Sequence, residues 1–370
     1  MHHATDPDIT RATTPSPSFY TSPDFYNTQR QSLFPRSWHF ITAEDELRTP
    51  RSVHPFTLLE GCLDEPLLFS RDDRDRIHCL SNVCTHRGAT VCQSAGVNRG
   101  TTLTCRYHGR RFNLDGSFKS MPEFDDAKDF PRPEDDLARA PWGRWRQFLF
   151  ASLDPAMPLD ALTADLERLC GFLPIEQARL DTTRQRDYLV HANWALYLDN
   201  YLEGFHIPYV HASLNDTIDY GEYTTDLFEW SNLQLGVASG AEETFNLPAD
   251  HPYSNKPVAA FYFWLFPCTM FNVYPWGISV NVVRPLGVDR TKVTFLPYVW
   301  DESKLDKGAG ASLDRVERED EEVVEDVQRG LRSRLYTTGR YSPKREAGVH
   351  HFHKLATRLT NHGPDAIRPQ

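Results

Sequence analysis

Cys84-Thr85-His86-Arg87-Gly88-Ala89 and Cys105-Arg106-Tyr107-His108-Gly109 make up the stretch on which the reading of this chain turns, and eighteen residues separate His86 from Cys105. Two cysteines and two histidines in two tight hairpin-like loops point to a four-ligand metal site, either structural zinc or an iron-sulfur centre. Zinc fingers usually part like ligands by two to four residues, Cys from Cys and His from His, whereas each loop here supplies one of each. That arrangement suits two irons, with thiolates on one and imidazoles on the other, and zinc stays as the alternative. Cys92 has no ligand slot at this spacing and is expected to be a small buried apolar residue.

Around these loops, residues 55–153 break into short β-rich runs (56–59, 66–70, 76–82, 101–107, 111–114 and 147–152) separated by turn residues, with Asp115-Gly116 as a hairpin signal. They predict a small antiparallel β domain. Residues 121–146, rich in Pro, Asp and Glu, read as a long surface excursion, and Asp154-Pro155 marks a boundary. Ahead of the domain, residues 2–18 look unstructured, and Ser22-Pro23-Asp24 starts a helix that runs to Phe34. Beyond it come an amphipathic helix over 159–173, with Cys170 as core, and a brief strand at 188–190. Further runs at 228–237, 258–266, 270–274, 278–284 and 292–300 predict a second, larger antiparallel sheet.

The second chemical constellation lies in Asn193-Trp194-Ala195-Leu196-Tyr197-Leu198-Asp199-Asn200-Tyr201-Leu202-Glu203-Gly204-Phe205-His206-Ile207-Pro208-Tyr209-Val210-His211. In one regular helix Glu203 and His206 share a face, whereas His206 and His211 diverge by about 140°. A distortion at Pro208 would swing His211 back beside His206. A strong helix is predicted over 313–335, its apolar stripe running Leu313, Val316, Val323, Val324, Val327, Leu331 and Leu335, with Asp320 on that stripe. Glu317, Glu319, Glu321, Glu322 and Asp326 read as a solvated acidic face. A carboxylate on a buried stripe costs several kcal/mol unless paired, so Asp320 reads as a metal ligand or as the partner of a core cation. Two histidines and one carboxylate form the set that holds non-haem Fe(II) with open positions.

Cys-x-His-Arg-Gly-Ala at 84–89 and Cys-x-Tyr-His-Gly at 105–109 resemble Rieske [2Fe-2S] loops, with Cys84, His86, Cys105 and His108 as ligands. The extra cysteines of respiratory-type Rieske proteins correspond to Ala89 and Tyr107, so the site resembles the lower-potential type of the oxygenases. With Glu203-x-x-His206-x4-His211 and the Glu-Asp pair ending in Asp320, the chain resembles the α subunit of Rieske non-haem iron oxygenases over residues 20–359. Val327-Gln328-Arg329-Gly330-Leu331, Gly339-Arg340-Tyr341-Ser342-Pro343 and His350-His351-Phe352-His353 look most like the choline monooxygenase branch. Asn193-Trp194-Ala195 departs from the family's usual Asn-Trp-Lys.

The resemblance implies an α+β fold: an N-terminal segment and helix (1–37) packing on the catalytic domain, a Rieske domain (38–153) and a helix-grip catalytic domain (154–370). It also implies a homotrimer in which His108 of one subunit meets Glu203 of the next, Glu203 bridging to His206, with Asn200 beside it as a hydrogen-bonding group. The iron is assigned to His206, His211 and Asp320. The chain has no Gly-rich dinucleotide loop and no plant-type four-cysteine spacing, so a separate flavin and iron-sulfur reductase is expected to supply electrons from NAD(P)H for O2 activation. Phe205, Tyr209, Phe263, Phe271 and Trp276 are the candidate pocket, from an aromatic set that also holds Phe261, Tyr262, Trp264 and Tyr274. Aromatic faces attract quaternary ammonium groups, and the branch resemblance favours a choline- or betaine-like substrate for hydroxylation or N-demethylation. The alternatives are ring hydroxylation, O-demethylation, or an electron carrier without active mononuclear iron. The His350-His351-Phe352-His353 run tempts a second metal site, but one helix does not easily aim three such rings at one ion.

A formal charge of -11 over 370 residues, with no basic block, excludes nucleic acid and anionic membrane as natural partners. The longest apolar run, 258–276, holds Pro267 and Asn272 and reads as buried strands, not a membrane span. Seven cysteines, an odd number over a long chain, imply a reducing, cytoplasmic setting.

Overall fold

Short β-branched and aromatic runs between turn residues fold as strands in both halves of the chain, and a computed structural model shows where they pair. The structure describes residues 3–98, 100–240, 243–311 and 313–361. They fall into two units, Trp38–Pro155 on one side and Met1–Ser37 with Ala156–Gln370 on the other.

The smaller unit is built of three antiparallel sheets. The first runs in the order Ile77–Ser81, Glu65–Arg71, Ser52–Leu58, Gly96–Val97, and the second in the order Thr102–Thr104, Arg111–Asn113, Phe118–Ser120. Leu68, Leu80, Leu103, Phe112 and Leu137 pack between them into a core that also holds Cys84 and Cys105. The third sheet runs His39–Ala43, Phe148–Ala151, Trp142–Trp145. Its last strand lies inside the stretch expected to be a surface excursion. The Pro- and acid-rich composition of the flanks masks a two-residue hairpin at Arg146 and Gln147, where Arg146 takes φ +52 and Trp145 pairs with Phe148. Cys92, expected to be buried, is half-buried.

The larger unit carries one eight-stranded antiparallel sheet. Thr224–Leu227, Ser231–Val237, Val258–Leu265, Thr269–Tyr274, Gly277–Gly287 and Arg290–Val299 follow one another as neighbours, and Arg186–Val190 and Arg179–Leu180 both pair with the last. Helix Leu159–Cys170 packs on the Ser231–Val237 and Val258–Leu265 strands, with Cys170 fully buried. Helix Leu313–Gly330 packs instead on helix Trp194–Tyr201. It ends five residues earlier than the hydrophobic stripe suggests: Gly330 is a poor helix former, and Leu335 is 95% exposed.

Ser22 caps helix Pro23–Ser32 by accepting from the Phe25 amide. The tract ahead of it is not loose. The Asp6 carbonyl accepts from His350 Nε2 at 2.7 Å, Thr14 and Gly339 exchange hydrogen bonds at 3.1 and 2.7 Å, and Arg340 Nε donates to the Ala12 carbonyl at 3.0 Å. His353 is fully buried between the Tyr20 and Tyr341 hydroxyls at 3.0 and 2.7 Å, and Tyr20 also donates to Asp199 at 2.7 Å. His350 and His353 thus anchor the N-terminal segment and do not converge on one point. Among the described residues Cys79, Cys84, Cys92, Cys105 and Cys170 stand outside any disulfide, and no helix is long and apolar enough to cross a membrane.

Candidate active site

Asn193 begins the ligand segment as an N-cap, its side chain accepting from the Ala195 amide at 3.0 Å, and Trp194, Ala195 and Leu198 sink into the core. A lysine at 195 would have to be buried there, which fits this chain's alanine. The helix stops at Tyr201, and the chain turns through residues 202–206 before the short helix Ile207–Val210. Glu203 holds that turn: one carboxylate oxygen accepts from the Phe205 and His206 amides, the latter at 3.1 Å, and the other meets His206 Nδ1 at 2.6 Å. Pro208 therefore occupies the first turn of a helix, where its missing N–H costs nothing. The bend expected at Pro208 is instead split between 202–206 and His211, whose φ and ψ of -110° and 75° leave the helical region.

The two imidazoles and a carboxylate meet. His206 Nε2 and His211 Nε2 are 3.1 Å apart, and Asp320 Oδ1 lies 2.9 Å from His211 Nε2 and 3.4 Å from His206 Nε2. Each ring's other nitrogen already faces a carboxylate: His206 Nδ1 that of Glu203 at 2.6 Å, His211 Nδ1 that of Glu319 at 2.8 Å. With a proton on each Nδ1, both Nε2 lone pairs and a carboxylate oxygen turn on one another, which is unfavourable unless a cation sits among them. Burial works to lower the basicity of His211, but hydrogen bonds and charge from Asp320 and Glu319 outweigh it and raise its pKa. Three ligand atoms this close suit a metal ion that takes imidazole and carboxylate and keeps other positions open.

Two acids of the helix Leu313–Gly330 depart from the expected solvated face. Glu319 is the partner of His211 and is itself held by Arg315 Nε at 2.9 Å. Glu317 is 2% exposed, its Oε2 accepting from the Tyr197 hydroxyl at 2.6 Å. Burial above all, with the nearby Asp320, pushes its pKa well up. The inward face of the helix runs Glu317, Val324, Gln328, while Val327 is exposed. Asn200 donates from Nδ2 to Asp320 Oδ1 at 2.8 Å and so orients that carboxylate.

In the smaller unit the two loops have the same build. Cys84 N donates to the Ala89 carbonyl and Gly88 N to the Cys84 carbonyl at 2.8 and 2.9 Å; Cys105 N donates to the Arg110 carbonyl and Gly109 N to the Cys105 carbonyl at 2.8 and 3.0 Å. Gly88 and Gly109 take φ of +72 and +73, left-handed backbone that a side chain would strain. The turns bring His86 Nδ1 within 3.2 Å of His108 Nδ1 and keep both cysteines buried beneath. Burial above all, with Cys105 close by, raises the Cys84 thiol pKa. Buried thiols under two facing imidazole nitrogens are a donor set for a two-iron centre with mixed ligation. Arg110, almost fully buried, closes the site from behind with its guanidinium on Asp135 at 2.6 Å and over the Phe118 ring at 4.9 Å.

A cavity opens beside His206, His211 and Asp320, walled by Tyr201, Tyr223, Tyr262 and Tyr274 and by the amides Gln234, Asn272 and Asn281. Register explains this lining: Gln234 pairs with Tyr262, Tyr262 with Asn272 and Asn272 with Ser279, one row across four strands. Phe263 and Phe271 pair one step along and therefore point to the opposite face, into the core. Phe205 and Tyr209 are 41% and 81% exposed, and Trp276 stacks outside the cavity on Tyr274 at 5.2 Å. None of the five expected pocket residues lines the cavity; an aromatic run does not disclose which sheet face carries the ligands.

The family model described as the ring hydroxylating alpha subunit (catalytic domain) matches residues 176–361, and that of the Rieske [2Fe-2S] domain matches residues 37–131. The chain belongs to the α subunits of Rieske non-haem iron oxygenases, with sites for a Rieske cluster and a mononuclear iron. Within that family it is related to the choline and carnitine monooxygenase branch. It is 30% identical over 370 residues to the chloroplastic choline monooxygenase of Arabidopsis thaliana, spanning 95% of this chain and 84% of that one. The carnitine monooxygenase oxygenase subunit of Escherichia coli (strain K12) is 27% identical over 360 residues, 92% of each chain. A solved quaternary ammonium Rieske monooxygenase superposes with a TM-score of 0.77 at 26% identity, over 96% of this chain and 97% of that one.

Proposed function

We propose that this oxygenase oxidises a small quaternary ammonium compound of the choline or betaine type, by hydroxylation or N-demethylation. The observation that carries the reading is the tyrosine-walled cavity against the three-ligand site, since aromatic faces attract such cations by about 0.5 to 2 kcal/mol each. The named activities of the choline and carnitine monooxygenases support it.

In this reading Cys84, His86, Cys105 and His108 hold the [2Fe-2S] cluster, and His206, His211 and Asp320 hold the iron. With both groups bound, the sites supply single electrons and O2 activation, respectively. Glu203 and Glu319 fix the two iron-facing imidazole tautomers, and Asn200 fixes the Asp320 carboxylate. Electrons come from NAD(P)H through a separate reductase, and an odd number of cysteines spread over a long chain suits a cytoplasmic setting. The working form is a homotrimer in which His108 of one subunit approaches Glu203 of the next. Exposed aromatics, Tyr107 next to His108 and Tyr209 on the short helix that follows Glu203, support such a meeting, and the solved relative is described in terms of inter-subunit electron transfer.

The test is substrate-dependent NADH and O2 consumption by the purified protein with a generic reductase, across choline, betaines, carnitine and methoxyarenes. Turnover of one or more quaternary ammonium compounds is expected. Turnover of methoxyarenes alone would refute the reading.

A further inference from the structure

Two acceptor atoms at the cavity lack a partner. Glu317 Oε1 is buried without a hydrogen bond, although Oε2 is taken by Tyr197. Gln234 Oε1 is likewise buried and unpaired, its Nε2 donating to the Tyr201 carbonyl at 2.6 Å. Both residues line the cavity, 2% and 1% exposed. Among the described residues no lysine or arginine lines it. Burial and the neighbouring Asp320 carboxylate disfavour the charged form of Glu317, and a cation seated beside it would favour that form. A buried carboxylate oxygen and a buried amide oxygen without partners beside an aromatic box ask for a ligand that brings positive charge and a donor, and a ligand's own carboxylate would find no cationic lysine or arginine in the lining.

Resting on the substrate reading above, we propose that Glu317 is the counter-charge for the substrate's cationic head, that Gln234 accepts from a hydroxyl on its other end, and that the cavity therefore selects a monocationic amino alcohol of the choline class over zwitterionic betaines and carnitine. The ammonium methyls would rest against the Tyr223, Tyr262 and Tyr274 rings, whose neighbouring pairs stand 6.5 and 5.9 Å apart.

The discriminating pair of probes is choline and its neutral isostere 3,3-dimethylbutan-1-ol, in which carbon replaces the charged nitrogen. Their dissociation constants are measured on the iron- and cluster-loaded protein, wild-type and Glu317→Gln, with the cluster's visible spectrum as the check on integrity. Gln keeps an acceptor for Tyr197 but removes the charge. Wild-type protein should prefer choline to the isostere and to glycine betaine, and Glu317→Gln should shrink the preference over the isostere by roughly 30-fold or more, the scale of losing one partner of a buried charge pair. A Glu317→Gln protein that keeps the wild-type ratio overturns the assignment while the quaternary ammonium reading stands. Wild-type protein that binds neither choline nor betaine overturns both. If the variant fails to fold, wild-type protein that binds choline no more tightly than the isostere or betaine is sufficient to overturn the inference.

Discussion

Replacing Glu319 by alanine should loosen iron at the three-ligand site while sparing the fold. Glu319 Oε2 is the partner of His211 Nδ1 at 2.8 Å, and His211 is 1% exposed, so solvent does not replace the lost acceptor. The ring then has two choices. It keeps its proton on Nδ1, where a buried unpaired N–H costs roughly 1–3 kcal/mol. Otherwise it moves the proton to Nε2, the nitrogen that faces Asp320 at 2.9 Å, and ceases to be a ligand. Either route gives about a 10- to 100-fold weaker site, the range seen for partners of metal-bound histidines. The Glu319 side chain is about a quarter exposed and alanine is a strong helix former, so the thermal midpoint should hold. The assay is equilibrium dialysis against a graded iron chelator, reading iron content with the cluster's visible and EPR spectra as internal control. Turnover should fall with occupancy and recover in excess Fe(II). An iron affinity equal to that of the wild type would refute the tautomer argument.

Asp320→Ala should abolish mononuclear iron binding and substrate turnover with the cluster spectrum unchanged; turnover at the wild-type rate would instead favour the electron-carrier reading. At Gly204 an added Cβ would stand 2.5 Å from a Tyr223 ring carbon, so Gly204→Ala should push that ring, raise the substrate KM and cost about 1–3 kcal/mol of stability by thermal unfolding. His351, half-buried beside Trp264, has its pKa lowered to about 4, chiefly by burial. The folded state then binds fewer protons than the unfolded one, so this contribution is fully present above pH 6.5 and is lost as pH falls towards 4. That is about 2 kcal/mol after allowing for partial exposure. His351→Phe should flatten unfolding midpoints measured across that range, and parallel curves would contradict it.

Much of this is legible in the sequence. The Cys84-x-His86 and Cys105-x-x-His108 loops and the His206-x4-His211 pair stand at telling spacings in chemically unusual company, and the strands betray themselves by period and punctuation. What escaped did so for identifiable reasons. A stripe drawn through Val316, Val323 and Val327 assumes that apolar residues mark the buried face, yet this helix faces a polar site and buries Glu317 and Gln328 instead. Glu319 looked like any solvated acid because its value lies in a contact 108 residues away in sequence. Tyr262 and Tyr274 stood in the wider aromatic set, but the choice of Phe263 over Tyr262 was off by one residue of strand register, which sends Tyr262 to the site and Phe263 to the core. Strand Trp142–Trp145 was hidden by the composition around it, not by its own residues.

The hydrogen bonds of the N-terminal segment bear on how the protein can be handled. Tyr20 ties the segment to Asp199, the neighbour of Asn200, while His353 and Tyr341 brace Tyr20 from the other side. Asn200 in turn aims the Asp320 carboxylate. Residues 3–20 thus act as a tendon that ends on Asp199, one residue before the Asn200 that orients Asp320. A bulky fusion there, or trimming by a protease, would pull on the metal geometry from a distance, and loss of activity in such a protein would owe nothing to the site's own residues.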